Sequence, residues 1–151
     1  MTNSDHDIIP SFHFRVLFTG LKGVTDLDTR FESVSGIQGS RADEIAGAGK
    51  KKEKDSSTTS FQPLVLKRAA LAPQASVLLQ WVLQCLNTRS YPALPSVQVQ
   101  VLNELQQPQL TINFTEVRLK TWVLGGLDAR VSGLLMEEFY LDYQSIAVTQ
   151  G

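Results

Sequence analysis

Short blocks in which every second residue is apolar recur along this chain of 151 residues, and one amphipathic helix interrupts the series. A period of two is typical of β-strands that bury one face. The cleanest block has Val97, Val99 and Val101 alternating with Gln98 and Gln100. The predicted strands are residues 12–18, 31–37, 64–68, 97–101, 110–114, 116–123 and 135–146.

Local sequence features predict how the later strands connect. Residues 97–101 and 110–114 are typical of a hairpin, with the chain turning between residues 103 and 108. The block at 116–123 is expected to continue the preceding strand through a bend. Gly125 and Gly126 are expected to end it.

A single helix is predicted over residues 73–86. Pro73 suits its first turn, where the missing N–H removes no hydrogen bond. Apolar residues at spacings of three and four form one broad stripe, made of Val77, Leu78, Trp81, Val82, Cys85 and Leu86. The pattern predicts a mainly β fold, a β-sandwich or barrel of about seven strands flanked by an α-helix. The predicted core anchors are Phe14, Phe18, Trp81 and Trp122.

Residues 38–60 interrupt the strand pattern with a stretch rich in Gly, Lys, Ser and Thr. Such residues bury little apolar surface, so we expect this extended loop to be mobile in the free chain. It is either a solvated surface loop or a binding element. The predicted organisation is a flexible N-terminal tail at 1–10 and one domain at 11–151 that carries the loop.

Composition excludes several classes of protein. Fourteen basic and fifteen acidic residues give a formal charge of −1, so nothing in the overall charge favours nucleic acid. Cys85 is the only cysteine, which excludes an intrachain disulfide and a cysteine zinc cluster. The first ten residues lack the pattern of a secretory signal, and no apolar run approaches the ~20 residues that span a bilayer. We expect a soluble protein made in the cytoplasm.

The sequence offers no set of residues for catalysis. The two histidines, His6 and His13, lie in the predicted tail and on the polar face of a strand, and no spaced carboxylates accompany them. Cys85 lies on the apolar stripe of the helix, as a small buried apolar residue would. Glu137 and Glu138 are adjacent in a strand and should point to opposite faces. We predict no catalytic, cofactor-binding or metal-binding residue, and no enzyme.

The order of several sequence phrases is more specific than any one of them. Residues 14–20 read FRVLFTG, residues 31–37 read FESVSGI, and residues 64–69 read LVLKRA and precede Trp81. Trp122 follows late in the chain, and the last strand carries Glu137, Glu138, Phe139 and Tyr143. In this order the phrases resemble the tail tube proteins of contractile phages and their relatives in phage-tail-like injection particles, over about residues 11–148.

The resemblance implies a structural subunit of the inner tube of a contractile tail or injection system. Family members form hexameric rings whose sheets join around a channel, and the rings stack. The implied partners are other copies in a homohexamer, adjacent rings, sheath and baseplate or spike proteins, and cargo protein or DNA in the lumen. The chain would be made in the cytoplasm and assembled into a phage tail or an extracellular particle, without membrane insertion of its own.

Two departures from the family pattern leave a choice open. Ala69 stands where the family commonly has Gly after Lys-Arg, and residues 46–50 read AGAGK instead of a Tyr-x-x-Gly-Gly type of stretch. The chain is therefore either a bulk tube subunit or the tube-initiating ring beside the baseplate. The same fold also occurs in the secreted tube protein of type VI systems.

The resemblance also suggests roles for individual residues. The family's long loop makes contacts between rings, so the lysine run is either an inter-ring contact or an exposed, solvated charge run. Its members are Lys50, Lys51, Lys52 and Lys54. The residues expected to face the lumen are Gln98, Gln100, Thr111 and Asn113.

Two other functions remain as alternatives at this point. A monomeric ligand-binding β-barrel would need an apolar cavity, whereas these strands carry small polar residues on their alternate faces. Nucleic-acid binding through the lysine run would need nearby aromatic residues for base stacking, and only Phe61 is close.

Overall fold

The computed structural model describes residues 8–42, 58–89 and 91–151, which form nine β-strands and one α-helix. The lysine run and His6 lie outside the described residues. In chain order the elements are β1 (Phe14–Thr19), β2 (Ser33–Ser35), β3 (Gly39–Ala42), β4 (Thr58–Phe61), β5 (Leu64–Ala69), α1 (Val77–Asn87), β6 (Leu94–Leu102), β7 (Pro108–Leu124), β8 (Met136–Asp142) and β9 (Ser145–Gln150).

Seven of the described strands form one open sheet in the order β1-β6-β7-β8-β5-β2, and β9 pairs with β7. Strand β7 is shared between two halves of this sheet. Residues 110–115 lie between β6 and β9, and together with β1 these strands make the first half. Residues 118–124 pair with β8, which with β5 and β2 makes the second half. The predicted mainly β fold of about seven strands with one helix is confirmed.

A bend in β7 divides the two halves. Glu116 has a positive φ of 50°, which is uncommon for a residue other than glycine. The buried residues change parity there, from Ile112 and Phe114 to Val117. The prediction of one strand that continues through a bend is confirmed, and the strand ends at Leu124, before the two glycines.

The prediction of a single final strand over residues 135–146 is wrong, because the structure has two strands there. The chain leaves β8 at Asp142 and enters β9 at Ser145. This break lies opposite the bend of β7, since Asp142 pairs with Arg118 and Ser145 pairs with Thr115. The chain thus passes from the second half to the first where β7 does the same.

The apolar faces of the two halves and of α1 form one core. Its buried residues include Phe114 from the first half, Phe139 from the second half, and Leu78 and Trp81 from the helix. Helix α1 begins at Val77 and not at Pro73, which instead opens a 3₁₀ turn. The predicted start is wrong because Ser76 caps the helix: its hydroxyl accepts a hydrogen bond from Leu79 N at 2.9 Å.

The two ends of the extended loop at residues 38–60 form strands, which the sequence did not predict. Gly39–Ala42 pairs with Thr58–Phe61 in an antiparallel two-stranded sheet, β3 with β4. Seven of these eight residues are exposed and Phe61 is half-buried. Within the described ranges, α1 is too short to cross a membrane, and no other helix is long and apolar enough.

Candidate functional site

The outward surface of the first half is a broad face of small polar side chains, here called the polar face. The register aligns residues of β1, β6, β7 and β9 in three rows across it. The rows are Arg15–Gln100–Thr111–Thr149, Leu17–Gln98–Asn113–Ala147 and Thr19–Ser96–Thr115–Ser145. All four residues expected to face the lumen lie on this side of the sheet, with Gln98 opposite Asn113 and Gln100 opposite Thr111. Gln98, Gln100 and Asn113 are half-buried, whereas Thr111 is buried and its hydroxyl donates to Gly151 O at 3.0 Å. Their role in a lumen stays a prediction.

The polar face is almost free of charge. Arg15 is its one charged residue, and its Nε donates a hydrogen bond to Gln100 Oε1 at 2.7 Å. Hydroxyl pairs continue across the strands, with Ser96 Oγ bonded to Thr19 Oγ1 at 3.0 Å and Thr115 bonded to Ser145. Such a surface binds water through hydroxyl and amide groups and presents no strong field to a passing molecule.

One hydrogen-bond acceptor on the polar face is left without a donor. Asn113 Oδ1 is buried and has no partner within the described part of the chain. Buried polar atoms are normally paired, since an unpaired one keeps the desolvation penalty without the bond. The centre of the polar face is therefore not fully satisfied within one copy.

The first half ends in strands β1 and β9, which pair on one side only within the sheet order. Strand β9 reads SIAVTQ and contains no charge and no proline, the usual devices that protect an edge from pairing. Five of its six residues are exposed. On β1, Val16 N donates to Thr29 O at 2.9 Å. The unprotected β9 edge is suited to pairing with another strand.

A second group of polar side chains is buried between the second half and α1, and the sequence reading did not predict it. Arg68 is only 3% exposed and contacts two fully buried carboxylates. Its Nη1 lies 2.8 Å from Asp28 Oδ1, and its Nε lies 2.9 Å from Glu137 Oε2. Its Nη2 donates to Ser76 Oγ at 2.8 Å. We call Arg68, Asp28, Glu137 and Ser76 the buried network.

Neighbouring groups satisfy the remaining atoms of the buried network. Asp28 accepts from Ser76 Oγ at 2.6 Å and from the backbone N of Leu78 at 3.1 Å, in the first turn of α1. Glu137 Oε1 accepts from Trp122 Nε1 at 3.0 Å. The Arg68 guanidinium also lies over the ring of Phe139, 5.1 Å from its centroid. The network ties β5, β8, β7 and the start of α1 to the loop before β2.

The alternation carried a signal for two members of this network, although not for their pairing. Arg68 follows Leu66 by two residues and Glu137 precedes Phe139 by two, so both charges occupy inward positions of their strands. Glu138 points to the other face, as predicted, and accepts a bond from Tyr140 Oη at 3.1 Å. That bond, with the carboxylate's charge, raises the pKa of Tyr140.

The predicted core anchors occupy different environments. Phe18 and Trp81 are buried in the core, whereas Phe14 and Trp122 are half-buried. Trp122 Nε1 donates a hydrogen bond to Glu137 Oε1, whereas Trp81 Nε1 has no partner among the described residues. Cys85 is half-buried and its thiol pKa is raised by burial, which disfavours the thiolate. In the described ranges, no three His, Cys, Asp or Glu residues are grouped to hold a metal ion.

Comparison with known proteins agrees with this architecture. The baseplate of the anti-feeding prophage contains a chain with 22% identity and a TM-score of 0.71, and the match covers 99% of this chain and 98% of that one. A sheath–tube complex of PVC, an extracellular contractile injection system, contains one with 14% identity and a TM-score of 0.71 over 100% and 99%. Hcp1 from Flavobacterium johnsoniae has 14% identity and a TM-score of 0.54 over 93% and 97%.

Comparison of the sequence with family models identifies the family, whereas the solved structures show the fold. No individual curated protein matches the chain significantly. The family model of the T4-like virus tail tube protein gp19 matches residues 10–147, which is nearly the whole chain. The chain therefore belongs to the T4-like tail tube protein family, a family of structural tube subunits.

Proposed function

We propose that six copies of this tail tube protein close into a ring in which the β9 edge of each copy pairs with the β1 edge of the next. The observation that carries the proposal is the uncharged, exposed β9 beside a polar face four strands wide. Pairing β9 with β1 would extend the first half from one copy to the next, with Val16 N exchanging its bond to Thr29 O for a bond to the neighbouring strand. Closing the ring would remove both edges, since a head-to-tail contact that closes leaves none.

In this ring the polar face lines the channel. Its four predicted lumen residues, Gln98, Gln100, Thr111 and Asn113, lie in its two middle strands. A surface of amides and hydroxyls stays hydrated, so a protein or DNA cargo passes without burying apolar area against the wall. The proposed role is that of a structural subunit of the channel wall, and not that of an enzyme.

The other partners follow from assembly into a particle. The structures with this fold come from a 6-fold symmetrised baseplate, a sheath–tube complex and a tube-terminating cap. They support rings that stack on adjacent rings and contact sheath and baseplate proteins, either along the tube or as its initiating ring. Synthesis in the cytoplasm precedes this assembly. The lysine run, Lys50 to Lys54, is proposed as a contact between rings.

The first test is the oligomeric state of the purified chain, by light scattering and negative-stain microscopy at low and high salt. We expect rings with a central hole, and single rings in place of stacks when residues 47–59 are deleted. Monomers at all concentrations and salts, with a small apolar ligand bound, would favour the ligand-binding barrel instead.

Cross-linking tests the proposed edge pairing directly. Leu17 and Ala147 lie on the polar face in the two edge strands and in the same row. In a Cys85→Ser background, Leu17→Cys with Ala147→Cys and a short bis-maleimide should give a ladder that ends at six chains. Leu17→Cys alone is the matched control. Rings that form without this ladder would contradict the β9–β1 pairing and leave the ring itself standing.

A further inference from the structure

The loop between β7 and β8 exposes three aliphatic side chains at its surface. Leu127 is 82% exposed, Val131 is 69% exposed and Leu134 is 79% exposed. We call these three residues the aliphatic tip. Single exposed apolar residues are ordinary, but a contiguous group on one loop marks a contact surface. All three line one shallow pocket on this loop.

The charges of this loop are neutralised inside it. Arg130 Nη2 lies 3.1 Å from Asp128 Oδ2, and its Nε donates to Asp128 Oδ1 at 3.1 Å. This two-point contact uses both carboxylate oxygens. The loop therefore presents aliphatic groups with no net charge, and a complementary surface should also be apolar and uncharged.

Such a surface lies at the start of β7. Ile9, Pro108, Leu110 and Val148 line an open groove of about 470 Å³ whose other walls are Gln109, Thr149, Gln150 and Gly151. We call it the end groove, and no charged residue lines it. Gln109 Oε1 is buried there without a hydrogen-bond partner in the described part of the chain. The groove thus combines apolar walls with a spare acceptor that suits a backbone N–H.

The tip and the groove lie at opposite ends of one strand. Strand β7 has 17 residues, and a strand of that length spans about 50 Å before the bend shortens it. The tip follows the last residue of β7 and the groove surrounds the first residues of that strand, so two copies placed end to end bring one tip to the next groove. Because the two patches differ, the contact is heterologous and repeats from copy to copy.

We propose that the aliphatic tip of one copy docks in the end groove of another copy of this chain. The occupant is a second copy because the chain itself carries both apolar surfaces, one at each end of β7, and neither surface carries a net side-chain charge. The inference rests on the proposed tube assembly. It adds a contact formed by Leu127, Val131 and Leu134 that does not involve the lysine run, and its groove adjoins the proposed β9–β1 pairing because β9 supplies part of the groove wall.

A double-cysteine variant tests the contact in the full-length chain. In a Cys85→Ser background, Leu134→Cys places a thiol on the tip and Val148→Cys places one in the groove. Under mild oxidation of the assembled protein, a chain that carries both should form a disulfide ladder that extends beyond six chains. Chains with Leu134→Cys alone should stay single. Leu134→Cys with Leu86→Cys, on the 54% exposed Leu86 of α1, is the matched control.

The charge variant Leu134→Asp measures the contribution of the contact to assembly. We expect the concentration needed for assembly to rise at least tenfold, whereas Leu86→Asp should leave it within about threefold. A wild-type assembly whose double-cysteine variant gives no ladder, and which tolerates Leu134→Asp, would overturn the inference while the proposed function stands. Loss of cargo or sheath binding alone by Leu134→Asp would also overturn it, in favour of a different occupant. A wild-type chain that never self-associates would refute both.

Discussion

The buried network and the polar face are both built from polar side chains, but they differ in whether one subunit satisfies their hydrogen bonds. In the network, Arg68 and its two carboxylates find every partner inside one copy, and Trp122 and the first turn of α1 supply further donors. On the polar face, Asn113 Oδ1 has no partner among residues 8–42, 58–89 and 91–151, and within the same ranges β9 leaves one edge unpaired. The network is closed and joins the parts of one subunit. The face is open at its exposed β9 edge, which is available to a neighbouring strand.

The difference follows from where the charges lie. A buried charge that lacks a partner is strongly destabilising, so the network must be complete in the monomer. An uncharged hydroxyl or amide at the surface can bond to water when it lacks a protein partner, so the free-energy cost is small. We therefore expect substitutions in the network to change folding, and substitutions on the polar face to change assembly.

The largest expected effect is that of Arg68→Met. It leaves the carboxylates of Asp28 and Glu137 buried without their cation, and breaking such a pair costs about 3–5 kcal/mol. Urea unfolding followed by tryptophan fluorescence measures the change in the free energy of unfolding. The control is Lys67→Met, on the adjacent outward position, with an expected change below about 0.5 kcal/mol. A loss for Arg68→Met as small as that of the control would show that the network does not hold α1 and the second half together.

A pair of serine substitutions sharpens the comparison. Ser76→Ala removes the acceptor of Arg68 Nη2 and of Leu79 N, and the helix loses its cap, so we expect a loss of about 2 kcal/mol. Ser96→Ala on the polar face removes only an exposed bond to Thr19, with an expected loss below about 0.5 kcal/mol. Thermal and urea unfolding compare them. Equal losses would remove the distinction between the two regions.

The sequence predicted much of the fold because the apolar alternation is strong where one face is buried. It predicted the bend of β7 but missed the break between β8 and β9. The same signal marks both, since the inward residues change parity from Phe139 and Leu141 to Ile146. It missed β3 and β4 because a ribbon exposed on both faces has no apolar period to detect.

The candidate site was predictable only in part, for a physical reason. Strand alternation predicted Gln98, Gln100, Thr111 and Asn113 on one face, and the register of β6 with β7 sets the two pairs opposite each other. The buried network needed three-dimensional information, because Asp28 lies 40 residues from Arg68 and Glu137 lies 69 residues from it. Nothing in the local sequence of Asp28 distinguishes it from Asp26, which is exposed in the same 3₁₀ turn.

A charge placed on the polar face should alter assembly without altering the fold. Gln98→Glu would put six carboxylates around the proposed lumen, and we expect ring formation to weaken about tenfold at low salt and to recover at 1 M salt. Stability of the monomer should change by less than about 0.5 kcal/mol. Sedimentation velocity at both salts measures assembly. Gln84→Glu, on the exposed surface of α1, is the matched control; an equal response of both variants would place Gln98 outside the lumen.

The smallest expected effect concerns the exposed pair Asp128–Arg130, which repeats the chemistry of Arg68 and Asp28 in water. Hydrogen bonds from the Arg130 side chain, and then from its backbone, lower the pKa of Asp128 from its ordinary value of 3.8. Arg130→Gln should therefore raise that pKa, as measured by NMR titration of the Asp128 carboxyl. Arg89→Gln, at another exposed arginine, should leave it unchanged.

The sign of the pH dependence separates this pair from the buried one. Because the folded-state pKa of Asp128 is lowered, any stabilisation by the pair is present above pH 3.8 and is lost as the pH falls through the folded-state pKa. Since both residues are exposed to solvent, water screens the pair and the free energy of unfolding at neutral pH should be unchanged by Arg130→Gln. A clear loss of stability would mean that the loop is packed against another copy under the conditions of measurement. That loss should then disappear on dilution, because a contact between copies depends on concentration and an ion pair within one loop does not.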